Sequence, residues 1–307
     1  MAGFIRVRLL MAIPVVLGVS VLVFSSLYLL PGDPVYALTG EQPVDRAVMD
    51  RLRQELGLND PPWVQYGWFL VQAIQGDLGT SLQTRRPVLG EILTFLPATL
   101  QLTAAAMAFA VVVGVTLGTI AAVRAHTWID TLTSVIALGG VSVPAFWLGL
   151  ILLLIFSVML GLVPSTGTEG VHRLFLPAFT LGYSAAAIIA RLTRSALLEV
   201  LSQDYVVTAR SKGLRERVVI ARHALRNALI PVITIVGLQV GTLLSGAVIV
   251  ETVFSRQGIG RMLVTGILNK DLPLVQGTIL FVATAYVLIN IFIDVLYAYV
   301  DPRIRYG

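Results

Sequence analysis

The chain has 307 residues, of which 13% are charged and 56% apolar; it carries a formal net charge of +5 and contains no cysteine. A soluble domain carries about 25% charged residues, so a chain with a mean hydropathy of +0.85 reads as membrane-embedded rather than as a soluble enzyme or a nucleic-acid binder. The lack of cysteine excludes disulfides, thiolate nucleophiles and cysteine-ligated zinc together.

Six windows free of Asp, Glu, Lys and Arg set the predicted elements: 9–30, 97–123, 131–168, 174–190, 228–250 and 272–293. A helix needs about 20 apolar residues to cross the hydrocarbon core, so six transmembrane helices are expected in an all-α membrane protein. The first window follows Arg6 and Arg8, is longer than a signal-peptide core and has no small-x-small cleavage site after it, so it reads as a retained span. Pro31, Gly32 and Pro34 stop it abruptly. Residues 31–96 then form a small extracytoplasmic subdomain after the first helix. It is expected to hold one short helix at 45–56, with Val48, Leu52 and Leu56 on one face, and another at 63–74. This region reads either as a structural lid over the helix ends or as a contact surface for an external partner.

Window 131–168 is too long for one straight span and too short for two with a turn. Gly139, Gly140 and Pro144 predict a bend or break inside it, and its tail at 161–168 reads as a loop. Window 174–190 is short and is expected to extend beyond its charge-free limits.

The stretch "DYVVTARSKGLRERVVIARHALRNALIPV" (204–232) concentrates Arg210, Lys212, Arg215, Arg217, Arg222 and Arg226. Ser202 is placed to cap a helix whose first turn holds Asp204, favourable at the positive end of the helix dipole. Lys212 falls in the last turn, and Gly213 suits the C′ position. Residues 215–227 read as a second, basic amphipathic helix ending before Pro231. Two short helices joined at a glycine make a rigid elbow; the plainer alternative is a basic loop held at anionic headgroups. Six spans put both termini and this elbow on one side, with Arg6, Arg8, Arg124, Arg191, Arg194, Arg303 and Arg305, so the side holding most of the Lys and Arg is expected to be cytoplasmic.

Inside the spans, "GVTLG" (114–118) and "GLQVG" (237–241) are small-xxx-small patterns that allow close helix approach. Asn290, Asp294, Tyr297 and Asp301 share a face of the last span, and Asp294 is expected to pair with Arg191 or Arg194. Glu251 reads either as a gate at a pore mouth or as a solvated helix end. There is no Gly-Lys pair and so no P-loop. His126, His172 and His223 lie far apart, none in HExxH spacing, which argues against a metal or Ser–His site. "GYSAA" (182–186) only half resembles a nucleophile elbow and lies in a span.

Several segments occur in an order that resembles one family: "LPGDP" (30–34), "LGLNDPPWVQYGWFL" (56–70), "GDLGTS" (76–81), "LTRSALLEVLSQDYVVTARSKGL" (192–214), "RHALRNALIPV" (222–232), "VIVETVFSRQGIGRML" (248–263) and "DLPLVQG" (271–277). It is the permease subunit of the dipeptide/oligopeptide/nickel branch of ATP-binding-cassette importers. The resemblance covers Arg6 to Arg305 and implies a single transmembrane permease domain over 1–307, of the type I importer fold. It implies that 197–228 is the cytoplasmic loop that couples to an ATPase, with Asp204, Tyr205, Thr208, Ala209, Arg210, Lys212 and Gly213 as the coupling residues. In the wider superfamily that loop reads Glu-Ala-Ala, three residues, Gly, nine residues, Ile-x-Leu-Pro. Here Val207, Thr208 and Ala209 stand at the first three positions, and His223, Leu225 and Arg226 at the Ile, Leu and Pro positions. Gly213, one Ala and the Leu match; the Glu and the Pro do not.

The resemblance further implies a non-catalytic subunit with no cofactor of its own, ATP and Mg being bound by two partner ATPase subunits. It implies a second homologous permease chain, an extracytoplasmic substrate-binding protein, a bacterial or archaeal cytoplasmic membrane, and no nucleic acid. The last two spans are chosen to line the path, with Gln239, Glu251 and Asn290 as contributors. Dipeptides, longer peptides, glutathione and chelated nickel all suit the family; few His and no Cys lean toward peptides. The competing readings are an intramembrane enzyme, a secondary transporter and a membrane scaffold.

Overall fold

A computed structural model of the chain describes residues 2–29, 59–163, 170 and 172–300. Among them the regular elements are helical, apart from one isolated antiparallel bridge between Thr80 and Pro87. In chain order they are α1 (Ala2–Leu29), α2 (Pro62–Ile74), α3 (Val88–Val123), α4 (Trp128–Ser142), α5 (Ala145–Leu152), α6 (His172–Leu201), α7 (Asp204–Ser211), α8 (Leu225–Val253), α9 (Ile259–Leu268) and α10 (Leu272–Val300). A π-helical stretch, Leu153–Met159, follows α5. A single turn, Glu216–Val218, and a second π-helical stretch, Val219–Ala224, lead into α8.

Five helices are long and apolar enough to cross a membrane, and α4 with α5 and its π extension, bent by 107° at their break, makes a sixth if the pair is counted as one span. Each falls on one of the six charge-free windows. The bend sits at Val143 and Pro144, both in extended conformation. Proline cannot donate to the ladder and disfavours the helical region for the residue before it, so the break lands where the sequence puts it. The short fourth window does extend past its limits, the span running over Arg173–Leu201. Within that extension Arg194 is neutralised: its Nε and NH2 donate to the two carboxylate oxygens of Asp130 at 2.6 and 2.8 Å.

The chain divides into two compact units, residues 1–97 with 258–307, and residues 98–257. In the first, α1 packs along α10. Arg8 and Asp294 form an ion pair at 3.2 Å, and Gln276 donates to the Val23 carbonyl at 3.1 Å. A small core of Val88, Ile92, Ile259, Met262 and Leu274 gathers the start of α3 with α9 and α10. The fully buried Asp271 carboxylate pins the 81–83 turn: it accepts from Ser81 Oγ at 2.6 Å and from the backbone N–H groups of Leu82 and Gln83 at 3.2 and 3.3 Å.

In the second unit α6 is the central shaft, packed against α4 and α8. Small residues allow it. A Cβ on Gly118 of α3 would strike the Ala190 carbonyl of α6, and one on Gly182 would stand 2.5 Å from the Ala106 carbonyl. The 114–118 pattern therefore serves helix packing, as expected. Leu102, Ala106, Leu181, Ile189, Leu243 and Val250 are among the buried core residues. The helix at 63–74 is present as α2. The expected helix at 45–56, the stop at Pro31–Pro34, most of the 161–168 loop and everything from Asp301 onward lie outside the described residues.

Candidate functional site

The basic elbow is built on the end of the shaft. α6 ends at Leu201, and Gln203, in an extended conformation, opens α7. Ser202 is not the cap expected of it. Its hydroxyl donates back to the Glu199 carbonyl at 2.7 Å, closing α6 instead of opening α7, and no side chain caps the N-terminus of α7. Asp204 does occupy the first turn. At the other end Lys212 is the C-cap residue and Gly213 has φ +74°, with its N–H on the Arg210 carbonyl at 2.9 Å. That left-handed conformation is one a glycine adopts without a Cβ penalty.

The chain beyond the glycine corrects a second expectation. The helix predicted to end before Pro231 does not end there: after Glu216–Val218 it widens into the π-helical Val219–Ala224 and continues as α8 straight through Pro231. Ala224, Ala228 and Val232 are essentially fully buried along one face. Their burial outweighs the one hydrogen bond that Pro231 cannot donate. The elbow is thus continuous with a membrane span on each side, α6 before it and α8 after it.

Its interior is apolar. Leu197 and Ala196 from α6, Val206 and Ala209 from α7, and Val219, Ala224 and Ala228 from the following segment form one buried cluster with Ala122. Two polar clamps close it from outside. Arg210 grips Glu216 across the Gly213 turn, Nε at 3.2 Å and NH2 at 2.7 Å, and that carboxylate raises the guanidinium pKa above its usual value. Asn227 Nδ2 donates to the Tyr205 hydroxyl at 2.8 Å.

The seven residues singled out in the sequence therefore come together but divide by task. Asp204, Tyr205, Thr208, Lys212 and Gly213 are exposed. Ala209 is buried within the elbow, and Arg210, although exposed, is engaged by Glu216. Sequence reasoning missed Glu216, Asn227, Val206 and Val219. Val206 and Ala209 at helical spacing, and an acid just past the glycine, were the available signals.

The residues expected to line a path stand differently. Glu251 is fully buried and accepts from Thr99 Oγ1 at 2.6 Å, while α8 runs on to Val253, so it is not a solvated helix end. Nearby, the buried Arg256 reaches the Ala98 carbonyl at 3.4 Å and Gln101 Oε1 at 3.3 Å. Gln239 is buried on α8. Asn290 is half-buried on α10, in the other unit. Asp294 pairs with Arg8, not with Arg191 or Arg194: the fork of Arg194 is already filled at both nitrogens by Asp130. Among the described residues no group of three or more His, Asp or Glu could hold a metal ion.

Comparison with known proteins agrees with this architecture. Residues 114–306 match the family described as binding-protein-dependent transport system inner membrane component, and residues 1–103 match the N-terminal domain of such membrane components. The chain is 45% identical to the dipeptide transport system permease protein DppB of Alkalihalophilus pseudofirmus, with 100% of both chains covered. It is also 45% identical to the glutathione transport system permease protein GsiC of Escherichia coli, again over 100% of both. Among solved structures, an inward-facing MetNI methionine ABC transporter aligns at a TM-score of 0.57 and 20% identity, covering 68% of this chain and 96% of that one. An amino acid ABC transporter aligns at 0.52 and 16%, covering 70% and 94%. At these identities the solved structures speak for the fold, that of a type I ABC importer permease.

Proposed function

The chain belongs to the inner-membrane components of binding-protein-dependent transport systems, and within that family we propose that it conducts di- or oligopeptides as one of two paired permease subunits. It is an ABC importer permease and a multi-pass membrane protein; the substrate class rests on its likeness to a dipeptide permease and a glutathione permease at equal identity. Glutathione, itself a short peptide, is the second reading.

The observation that carries the mechanism is the elbow: a packed apolar interior, a basic exposed surface, and direct continuity with two spans. In this reading residues 197–228 face the cytoplasm with both termini, and the region 31–96 faces outward. Two ATPase subunits, which bind ATP and Mg, dock on Asp204, Tyr205, Thr208 and Lys212. Ala209 and Gly213 give the surface its shape, and Arg210 contributes while braced by Glu216. The chain itself performs no catalysis and holds no cofactor. Closure of the ATPases pushes α7, and because α7 is cored onto α6 and the start of α8, those spans move as rigid bodies between inward- and outward-facing states. A binding protein delivers substrate from outside in a bacterial or archaeal cell. Gln239, Glu251 and Asn290 remain the proposed path residues, Glu251 as part of a buried polar latch with Thr99.

The test is ATPase activity of the chain co-expressed with its genomic neighbours and reconstituted, with and without candidate binding proteins and short peptides. Stimulation by peptide is expected. Stimulation by glutathione alone would move the assignment to the second reading, and failure to associate with any ATPase would remove the docking account. The docking surface is probed separately by K212E with R210E, expected to abolish assembly. The swap R210E with E216R, which keeps the internal brace, is expected to leave the elbow folded yet still weaken ATPase binding.

A further inference from the structure

The helix α2 has an unusual surface. Its thirteen residues include no charged side chain and none that is buried. One face, Tyr66, Phe69, Leu70 and Ala73, turns toward α1. Tyr66 shares a 2.8 Å hydrogen bond with Ser20, and Phe24 stacks edge-on to Tyr66 at 5.4 Å and tilted to Phe69 at 5.9 Å. The opposite face is also apolar: Val64, Trp68 and Val71 follow helical spacing and are exposed, with Trp63 and Ile74 beside them. Between the two faces only a narrow stripe, Gln65 and Gln72, is polar, and Gln65 is turned to the Asp60 carbonyl at 2.8 Å.

Its depth is fixed by what it touches. Ser20 and Phe24 lie roughly 18 and 24 Å along α1 from Arg8, at the rise of an α-helix, whereas the hydrocarbon core is about 30 Å thick. Arg8 with Asp294 marks the charged end of that span. The contacts of α2 therefore fall inside the apolar slab, not above it. Beneath α2 an apolar groove of about 550 Å³ runs along α1 from Ser20 toward Leu9, walled by Leu70 and Ala73 on one side and by Phe281 and Leu288 of α10 on the other. The neighbouring face of α1 is continuous with it and exposes Val21 and Leu22.

We propose that α2 is not part of an aqueous lid but a non-spanning helix embedded in the leaflet opposite Arg8, with phospholipid acyl chains against Val64, Trp68 and Val71 and in the groove beneath. Trp63, at the start of α2 with an apolar ring and one N–H donor, holds that end at the headgroup boundary. Lipid is favoured over a protein partner because the surface offers no charge and merges with the exposed apolar side of α1 at Val21 and Leu22. The inference needs only that the chain spans a membrane, not that it carries peptides.

Because the chain has no native cysteine, spin labels can be placed on V64C, V71C, L22C and D60C in the full complex. The complex is reconstituted in phosphatidylethanolamine and phosphatidylglycerol vesicles, with the signal of the cysteine-free chain subtracted. Labels at 64 and 71 are expected to collide more often with oxygen than with a water-soluble nickel chelate, matching the label at 22, while the label at 60 shows the reverse. Chelate access exceeding oxygen access at 64 and 71 would restore the aqueous lid. Low access to both would mean that a second permease or an external protein covers the face. Either result overturns the proposal. An independent reading comes from tryptophan quenching by tail-brominated lipids. The conservative W63F with W68F variant is expected to lose a measurable part of the quenching seen in the parent complex, and an unchanged quenched fraction would also overturn it. Neither measurement involves ATP or substrate, so both remain decisive if the transport assignment fails.

Discussion

The shaft α6 and the elbow α7 adjoin in the chain and are held by opposite means. The shaft is fixed by backbone-close contacts: Gly118 and Gly182 let neighbouring helices reach its carbonyls or be reached by them, and Asp130, largely buried, takes both nitrogens of Arg194. The elbow has an equally dry interior, but its clamps are exposed: Arg210–Glu216 and Tyr205–Asn227 both lie at the surface. Buried bidentate pairs set a geometry and are costly to break, whereas exposed pairs contribute little and exchange with water. A closely packed part thus sits beside a part whose outer bonds are exposed; in the proposed mechanism the first would transmit motion and the second would meet the ATPase.

The largest expected blow to that contrast is Gly118→Leu. No relaxation short of parting α3 from α6 accommodates the side chain, so a loss of about 3 kcal/mol or more is expected, read as collapse of the purified yield and of the unfolding midpoint in detergent. A tolerated leucine would mean the shaft is not close-packed. Next is Arg194→Ala, which leaves the largely buried Asp130 carboxylate with only the His126 N–H at 3.0 Å and should cost about 1–3 kcal/mol. The double variant with Asp130→Asn should recover part of the lost midpoint, because the penalty lies in the orphaned charge. Val206→Ala sharpens the comparison: it removes two methyl groups from the elbow core, about 1–2 kcal/mol, and should lower transport per ATP hydrolysed more than it lowers assembly. Glu216→Gln is the smallest, under about 0.5 kcal/mol in stability. Its effect should vanish in high salt, and an effect on folding as large as that of Arg194→Ala would erase the distinction between the two regions.

Much of this plan was legible in the sequence because charge exclusion is a strict signal. Charges are costly inside a span, so the windows located the helices, Pro144 located the bend, and Gly213 located the corner of the elbow. What stayed hidden depended on partners distant in sequence. Asp294 could be assigned a level in the membrane but not a partner, and Arg8 is supplied by α1. Glu251 looked like a helix end because the turn-rich "FSRQGIGR" follows it; only the hydroxyl of Thr99, brought by α3, reveals it as buried. Ser202 failed as a cap because a serine can donate backward to its own helix as readily as it can accept forward. Pro231 misled because helix propensity is a local quantity, while the face carrying Ala224, Ala228 and Val232 is held by tertiary burial.

The π-helical stretch Val219–Ala224 carries one further consequence. It joins two helical surfaces that must each face inward: the elbow's Val206, Ala209 and Val219 on one side, and the Val232, Gln239 and Leu243 stripe of α8 on the other. Because an α-helix turns about 100° per residue, removing a single residue here would keep every side chain's chemistry and yet swing one stripe by roughly a quarter-turn against the other. The wide turn is therefore the phase-setter of the machine: composition within it can drift, but its length cannot.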